Sequence, residues 1–409
     1  MKPNPAIALP LSALCLLISC AGPGAPRSAS GTRIDPIALS SAEQTVTQRN
    51  IPEELRADYI ALYSQGRQNA VLHAMRAGLS ALRIGRYDLA KETFDQAIRE
   101  VEALQEGAEQ AKRAKSKFVA EREKWFKGES HERSALYFYR GLIYLNDQDF
   151  GNAAACFKRS QIQDITADDQ TGFSGDWYGS EIALALASYL NGFPSDADAA
   201  RQRARTFQSK QGEVPWPSSQ TNTLIVVEVG KGPIKYRGGR QGEQLRYSEE
   251  LPATRQLRIS SPAPHLKSAA AENLFFQAIT RGDRQVDHIL GDKASFKEDT
   301  GSATVGLAAG AIVASQVDRS GIAAGVLGLA AIGTAIASAA SDPSADIREW
   351  DNLPHSIYLL SLNLPDPKTP VQIETLDAGG TVLNTYILAD VTDTKKEKRL
   401  NIRFLRLKN

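Results

Sequence analysis

Hydrophobic positions follow two different periods along the chain, and the change falls near residue 212. Before it, apolar residues recur roughly every three to four positions, the period of a helix with one buried face. After it, short apolar runs alternate with polar residues and end at clusters of Gly and Pro, which is typical of β-strands. The pattern predicts the α+β class, with a helical domain over residues 51–212 and a small antiparallel β domain over residues 213–409.

Two stretches of the helical half share one arrangement of small and aromatic residues. Each predicts two helices joined by a tight turn, as in a tetratricopeptide repeat, in which small residues let the helices approach and aromatic residues fill the space between them. The matched positions are Gly78, Tyr87, Ala90 and Phe94 in the first copy and Gly141, Phe150, Ala153 and Phe157 in the second, with Tyr144 as a further aromatic. One hairpin cannot bury its own apolar faces, so we expect stacked neighbours and predict a third hairpin over residues 180–208. Unrelated helical hairpins are the alternative.

A charged segment, residues 100–132, separates the two copies. It contains no Pro, so we interpret it as a continuation of the preceding helix with Phe118, Trp125 and Phe126 as its apolar contacts. Its charges are typical of a solvated face, and a basic contact site for lipid headgroups or wall polymer is the alternative.

The β half contains six apolar segments with strand character. A four-residue turn, 377–380, predicts a hairpin between two of them, and residues 235–242 are predicted to form a basic turn. A helix is predicted from Leu266 to about Gly282. The strands are predicted at 223–229, 254–260, from Ile357 onward, and at 371–376, 382–388 and 399–407.

Residues 303–341 are rich in Ala and Gly, with glycines spaced four apart in two places. This spacing permits very close helix packing. Ala and Gly contribute little membrane-insertion energy, so we favour a helical hairpin packed on the sheet, as part of a helical insertion at about 265–342. A membrane-inserting hairpin is the alternative.

The N-terminus looks like a secretory signal over residues 1–19, with Lys2 before an apolar core. The sequence Leu17–Cys20 resembles the lipobox of bacterial lipoproteins, which implies cleavage before Cys20 and acylation of that cysteine with fatty-acid chains such as palmitate. Residues 20–50 would then form a lipidated flexible tether. Ala21, where inner-membrane lipoproteins usually carry Asp, implies an anchor in the outer membrane facing the periplasm. An ordinary signal peptide and an uncleaved transmembrane helix are the alternatives.

Composition excludes several classes of function. The formal net charge of +1 over 409 residues provides no concentrated basic face for nucleic acid. Of three cysteines, Cys156 is the one expected in the folded part, so neither a disulfide framework nor a Cys-rich zinc site is possible. The five histidines are scattered, and the common hydrolase, metalloprotease and nucleotide-binding motifs are absent from the sequence. We therefore predict no catalytic residue, metal or cofactor, and a buried, unreactive Cys156.

Polar residues in two motifs flank the predicted sheet and are candidates for one cluster. A salt-bridge network that holds two loops is the simpler interpretation, and a binding or hydrolytic site for a wall polysaccharide is the alternative. The residues are Glu228, Lys235, Asp346, Arg348 and Trp350.

Three motifs in this order, together with the lipobox, resemble a family of Gram-negative outer-membrane lipoproteins with tetratricopeptide-like repeats. They are Lys127–Glu132 with the aromatic helix that follows, Val227–Lys235 and Asp346–Pro354. The resemblance implies a place in the cell envelope, since some members are encoded near activators of penicillin-binding proteins. It implies no established activity.

The sequence thus favours a lipid-anchored envelope scaffold or adaptor, without enzymatic activity, whose helices bind a periplasmic or outer-membrane protein. Two other hypotheses remain. One is an assembly protein that inserts residues 303–341 into a membrane, and the other is an envelope hydrolase centred on Glu228 and Asp346.

Overall fold

The computed structural model describes residues 29, 31, 33–106, 124–165, 175–211, 213–262, 266–280, 344–389 and 398–408. Within these ranges the chain is α+β, with eight α-helices before residue 212 and one short helix among the strands that follow. The helices are α1 Pro36–Gln48, α2 Arg56–Ser64, α3 Ala70–Arg83, α4 Tyr87–Glu106, α5 Ser130–Asn146, α6 Phe150–Ile165, α7 Tyr178–Leu190, α8 Pro194–Gln211 and α9 Leu274–Ile279, with 3₁₀ turns at Glu53–Leu55 and Arg67–Asn69.

The first eight helices pair into four hairpins, α1/α2, α3/α4, α5/α6 and α7/α8. Each turn contains one residue with positive φ: Asn50, Gly85, Gln148 and Gly192. The residue after it donates its backbone N–H to the carbonyl five residues earlier, at 2.9–3.1 Å. The same turn therefore ends the first helix of every hairpin and directs the second helix back along it.

Two of the hairpins share one close contact between their helices. A Cβ atom at Gly78 would lie 2.5 Å from the ring of Phe94, and a Cβ atom at Gly141 would lie 2.5 Å from the ring of Phe157. Both rings are fully buried. A hydrogen in place of a methyl group is what allows the helices this approach, and the sequence alignment predicts the equivalence of the two contacts.

The strands form two four-stranded sheets and a separate hairpin. The central sheet has the order β10-β1-β7-β6, the outer sheet has the order β5-β4-β8-β9, and β2 pairs with β3. The strands are β1 Thr223–Val229, β2 Ile234–Gly238, β3 Gln244–Ser248, β4 Gln256–Ser261, β5 Leu266–Ser268, β6 Glu272–Asn273, β7 Ser356–Leu362, β8 Val371–Leu376, β9 Val382–Leu388 and β10 Asn401–Leu407.

The hairpins, the central sheet and the outer sheet are stacked as three layers. On β1, Leu224 and Val226 belong to the core shared with the helices, whereas Ile225 and Val227 belong to the core shared with the outer sheet. Strand β7 alternates in the same way. The central sheet is therefore buried on both faces, which explains why β1 is a nearly continuous apolar run.

The β half differs from the predicted antiparallel domain in three respects. Strand β1 pairs in parallel with β10, because a long connection returns the chain to the far edge in the same direction. The predicted basic turn, 235–242, belongs mostly to the β2/β3 hairpin. The helix predicted from Leu266 begins only at Leu274, where the Asn273 side chain caps the N–H of Phe276 at 3.0 Å.

The helical half differs from the sequence-based prediction at two element boundaries. The predicted tether, 20–50, extends too far, because Asp35 caps the N–H of Ile37 and Pro36 starts helix α1. The predicted continuous helix over 100–132 is also wrong in its last part, since residues 124–129 are not helical. Phe118, the signal segment with Cys20, and residues 303–341 lie outside the described residues. Among the helices of the described ranges, none is both long and apolar enough to span a bilayer.

Replacing Gly141 with Ala is expected to lower the free energy of unfolding by about 1–2 kcal/mol. The added methyl group would overlap the Phe157 ring, and the cost of this overlap exceeds the gain from the higher helix propensity of Ala. Gly151→Ala is the matched control, since this exposed glycine of α6 has only Asn191 Nδ2 near its Cβ position, at 3.8 Å. It is expected to stabilise by up to about 1 kcal/mol. Urea unfolding followed by circular dichroism measures both changes. Equal changes in the free energy of unfolding for the two variants would contradict the close contact between Gly141 and Phe157.

Candidate functional site

The first helices of three hairpins each turn one side toward the central sheet. We call the surface of α3, α5 and α7 that faces the sheet the inner face. Helices α3 and α5 contact β10, and α7 contacts β7. Almost every residue of α5 and α7 is buried. The chain's own central sheet therefore occupies the inner face.

Glu228 is the polar centre of this contact. It follows Leu224 and Val226 on the face of β1 that meets the helices, and its side chain is 3 % exposed. Its carboxylate accepts hydrogen bonds from Arg83 Nε of α3 at 2.6 Å and from the Tyr139 hydroxyl of α5 at 2.5 Å. Burial, reinforced by the charge of Glu228, raises the pKa of Tyr139, so the hydroxyl stays a donor. Glu228 thus fixes the position of β1 on two helices.

A segment without regular structure, residues 344–354, fastens the sheet to the helices at a second place. We call it the joint segment. The Trp350 ring packs edge-on against Phe94 and Tyr139, with centroids 6.2 and 6.1 Å away. Asn352 Nδ2 donates to the backbone carbonyl of Arg76 in α3 at 3.0 Å. Aromatic packing and backbone recognition therefore hold this segment on α3, α4 and α5.

A buried ion pair joins the joint segment to the start of α5. Lys235 Nζ lies 2.9 Å from Glu132 Oε2, and the two side chains are 2 % and 1 % exposed. Glu132 also accepts the backbone N–H of Trp350 at 2.8 Å and that of Glu129 at 2.7 Å. Lys235 Nζ donates in addition to the carbonyl of Arg348 at 2.9 Å. Burial alone raises the pKa of Glu132, but the charge of Lys235 and the hydrogen bonds outweigh it, so the pKa lies below its usual value.

Arg348 extends the same network toward α3. Asp346 Oδ2 accepts hydrogen bonds from Arg348 Nε at 2.9 Å and from Nη2 at 2.7 Å, and Asp346 Oδ1 accepts from Nε at 3.0 Å. Arg348 Nη1 donates to Asn69 Oδ1 at 2.9 Å. The Phe126 ring lies within 5.6 Å of both Arg348 and Lys235, as a shared cation–π partner. Each charge of the network is therefore matched inside the protein.

The structure brings together four of the five predicted cluster residues. Lys235, Asp346, Arg348 and Trp350 share the joint network, whereas Glu228 has its own partners and is connected through Tyr139, which touches both Glu228 and Trp350. Sequence reasoning missed Glu132 as the central carboxylate. The signal for it is the capping box of α5, in which Glu129 precedes the helix and Glu132 follows three residues later.

The predicted chemistry of a hydrolase needs two carboxylates that face a substrate. Glu228 and Asp346 instead bind different arginines, and neither of them lines the cavity between α7 and α8 or the cavity next to Phe193. No group of three or more potential metal ligands occurs within the described ranges. Cys156 is half-buried, and burial raises the pKa of its thiol to about 11, which keeps it a poor nucleophile.

A buried carboxyl group fastens the sheet edge to α7. Glu272 of β6 accepts the N–H of Gly179 at 3.1 Å and the side-chain amide of Gln277 at 2.8 Å. The same amide donates to Asp176 Oδ1 at 3.0 Å. Burial, with the nearby charges of Asp176 and Asp164, raises the pKa of Glu272 well above its usual value. The site favours the neutral acid.

Comparison of the chain with protein-family models, with curated proteins and with solved structures returns no match. The site is therefore interpreted from its own geometry.

Lys235→Met is expected to lower the free energy of unfolding by about 3–5 kcal/mol, because it leaves the Glu132 carboxylate buried without a counter-charge. Lys91→Met is the matched control, since Lys91 and Asp147 form a half-exposed pair at 3.4 Å whose loss should cost less than about 1 kcal/mol. Adding Glu132→Gln to Lys235→Met should recover part of the loss. Denaturant titration measures the free energy of unfolding of each variant. Equal losses for Lys235→Met and Lys91→Met would contradict the assignment of Lys235 and Glu132 as a buried ion pair.

Glu272→Gln is expected to remove part of the decline of stability with rising pH. A carboxyl with a raised folded-state pKa stabilises the fold below its unfolded pKa, and that contribution is lost as the pH rises toward the folded value. The free energy of unfolding of the variant, relative to that of the wild type, should therefore increase by up to about 1.4 kcal/mol for each pH unit above pH 4.5. Unfolding measured from pH 5 to pH 9 tests this, with the exposed Glu53→Gln as control. A pH-independent difference would contradict it.

Proposed function

We propose that the protein is a lipid-anchored scaffold or adaptor of the cell envelope that binds a protein partner through tetratricopeptide-like hairpins. The repeated turn and the matched contacts of Gly78 with Phe94 and of Gly141 with Phe157 support a repeat origin of the hairpins. The lipobox resemblance at Cys20 supports an acyl anchor, and Ala21 supports the outer membrane. Proteins of the periplasm or the outer membrane are then the accessible partners.

The observation that carries the proposal is the occupation of the inner face by the central sheet. A ligand groove filled by the same chain leaves the second helices, α4, α6 and α8, as the exposed helical surface. We therefore place partner binding on this outer face, and not in the concave groove that repeat arrays ordinarily use.

The outer face carries an apolar patch around the α7/α8 turn. Phe193 is 56 % exposed there. A cavity of about 270 Å³ next to Phe193 has small residues of α6 in its wall, namely Gly151, Ala154 and Ala155. Lys158 and Asp196, 3.6 Å apart, form its polar rim. An apolar centre with a charged rim is typical of a surface that takes an amphipathic helix.

A photo-reactive amino acid in place of Phe193 is expected to form a covalent adduct with one defined partner in intact envelopes. The matched control is the same amino acid at Ile37, an apolar residue of α1 that is 79 % exposed, which should not capture that partner. Mass spectrometry identifies the adduct, and titration of the purified pair measures affinity. Phe193→Asp should weaken binding at least about tenfold, the loss expected for an interface anchor, while Ile37→Asp leaves it unchanged.

The proposal fails if no specific adduct forms at Phe193, or if Phe193→Asp and Ile37→Asp have equal affinities. Circular dichroism of both variants separates loss of binding from loss of fold.

A further inference from the structure

A second cavity, of about 280 Å³, lies between α7, α8 and the segment that follows α8. Tyr178, at the start of α7, lines it together with Arg201 and Arg205 of α8 and with Trp216. The outer-face patch lies at the turn that ends α7, so the two surfaces are separate. The proposed partner binding does not use this cavity.

The two arginines of the cavity are exposed side chains of α8. Neither guanidinium group forms a hydrogen bond or an ion pair within the described part of the chain, although Arg201 lies 5.8 Å from the centre of the Trp216 ring. Arg203, on the same helix, differs because it binds Glu181 at 2.8 Å. Like charges at positions i and i+4 of a helix repel each other. An anion between Arg201 and Arg205 would remove that repulsion.

Uncharged donors of the same wall also lack acceptors. Tyr178 is 1 % exposed, and no hydrogen bond to its hydroxyl occurs among the described residues. Burial raises the pKa of Tyr178, so the group keeps its proton over the physiological range. The indole Nε1 of Trp216 is buried without an acceptor in the described structure. Of these two donors, only Trp216 Nε1 is a buried polar atom without a partner, and such atoms are unusual in native proteins.

We propose that this cavity binds one carboxylate or phosphate group of a small ligand, through Arg201 and Arg205 with Tyr178 as an additional donor. Planar guanidinium groups bind such oxygens with paired, charge-assisted hydrogen bonds. Glu213 also lines the cavity and offsets one of the two positive charges. The site therefore suits a single anionic group. Trp216, Val214 and Pro215 give the rest of the ligand an apolar wall.

Isothermal titration calorimetry of the full chain in detergent, with inorganic phosphate and separately with N-acetylalanine, tests the proposal. We expect at least one of them to bind, and Arg201→Gln/Arg205→Gln to weaken binding at least about tenfold, as expected for the loss of hydrogen bonds to a charged group. Arg99→Gln is the matched control, because Arg99 is an exposed arginine of α4 outside the cavity and should leave binding unchanged.

Binding of phosphate alone assigns the site to phosphoryl groups, and binding of N-acetylalanine alone assigns it to carboxylates. Binding of both supports a general anion site. The proposal is overturned if neither binds, or if the folded double variant binds as the wild type does. Thermal unfolding confirms that the double variant is folded, and the two single variants, each expected to bind with intermediate affinity, provide a second measurement. Partner capture at Phe193 is unaffected by either result.

Discussion

Covering the inner face of the helical hairpins is the constraint on which the rest of the structure depends. Helices α5 and α7 are buried on nearly all sides, so they need partners beyond their own hairpins. The central sheet is this partner. Its opposite face is also apolar, and the outer sheet buries that face. Three layers follow from one requirement, namely that no apolar face of an element stays in water.

Polar contacts determine where the sheet lies on the helices. Apolar packing between Leu224, Val226 and the helices is not directional, and a shifted sheet would bury similar area. Glu228 with Arg83, and Lys235 with Glu132, accept one arrangement only, since any other leaves a buried charge unmatched. We interpret these pairs as determinants of a unique docking geometry more than as sources of net stability.

Local chemistry could be predicted from the sequence, and long-range pairing could not. The α3/α4 and α5/α6 hairpins follow from Gly and Phe spacing, and the β8/β9 hairpin follows from its 377–380 turn. The parallel β1/β10 pair joins residues far apart in the chain, and no local pattern records such a partner. The same holds for the site. Lys235 and Arg348 were recognisable as a polar cluster, but the covering of the inner face depends on the tertiary arrangement. The class of the repeat stays a prediction.

The parallel pairing of β1 with β10 also has a consequence for the order in which the protein folds. Strand β10, Asn401–Leu407, lies at the edge of the central sheet and contacts α3 and α5. Synthesis from the N-terminus produces the hairpins before this strand. Until then the parts of α3 and α5 that β10 covers stay exposed, and β1 lacks one of its two neighbouring strands. Non-local closure of this kind is slow compared with helix formation. The central sheet therefore closes only after β10 has been made, and a chain truncated before Asn401 would lack a structural strand.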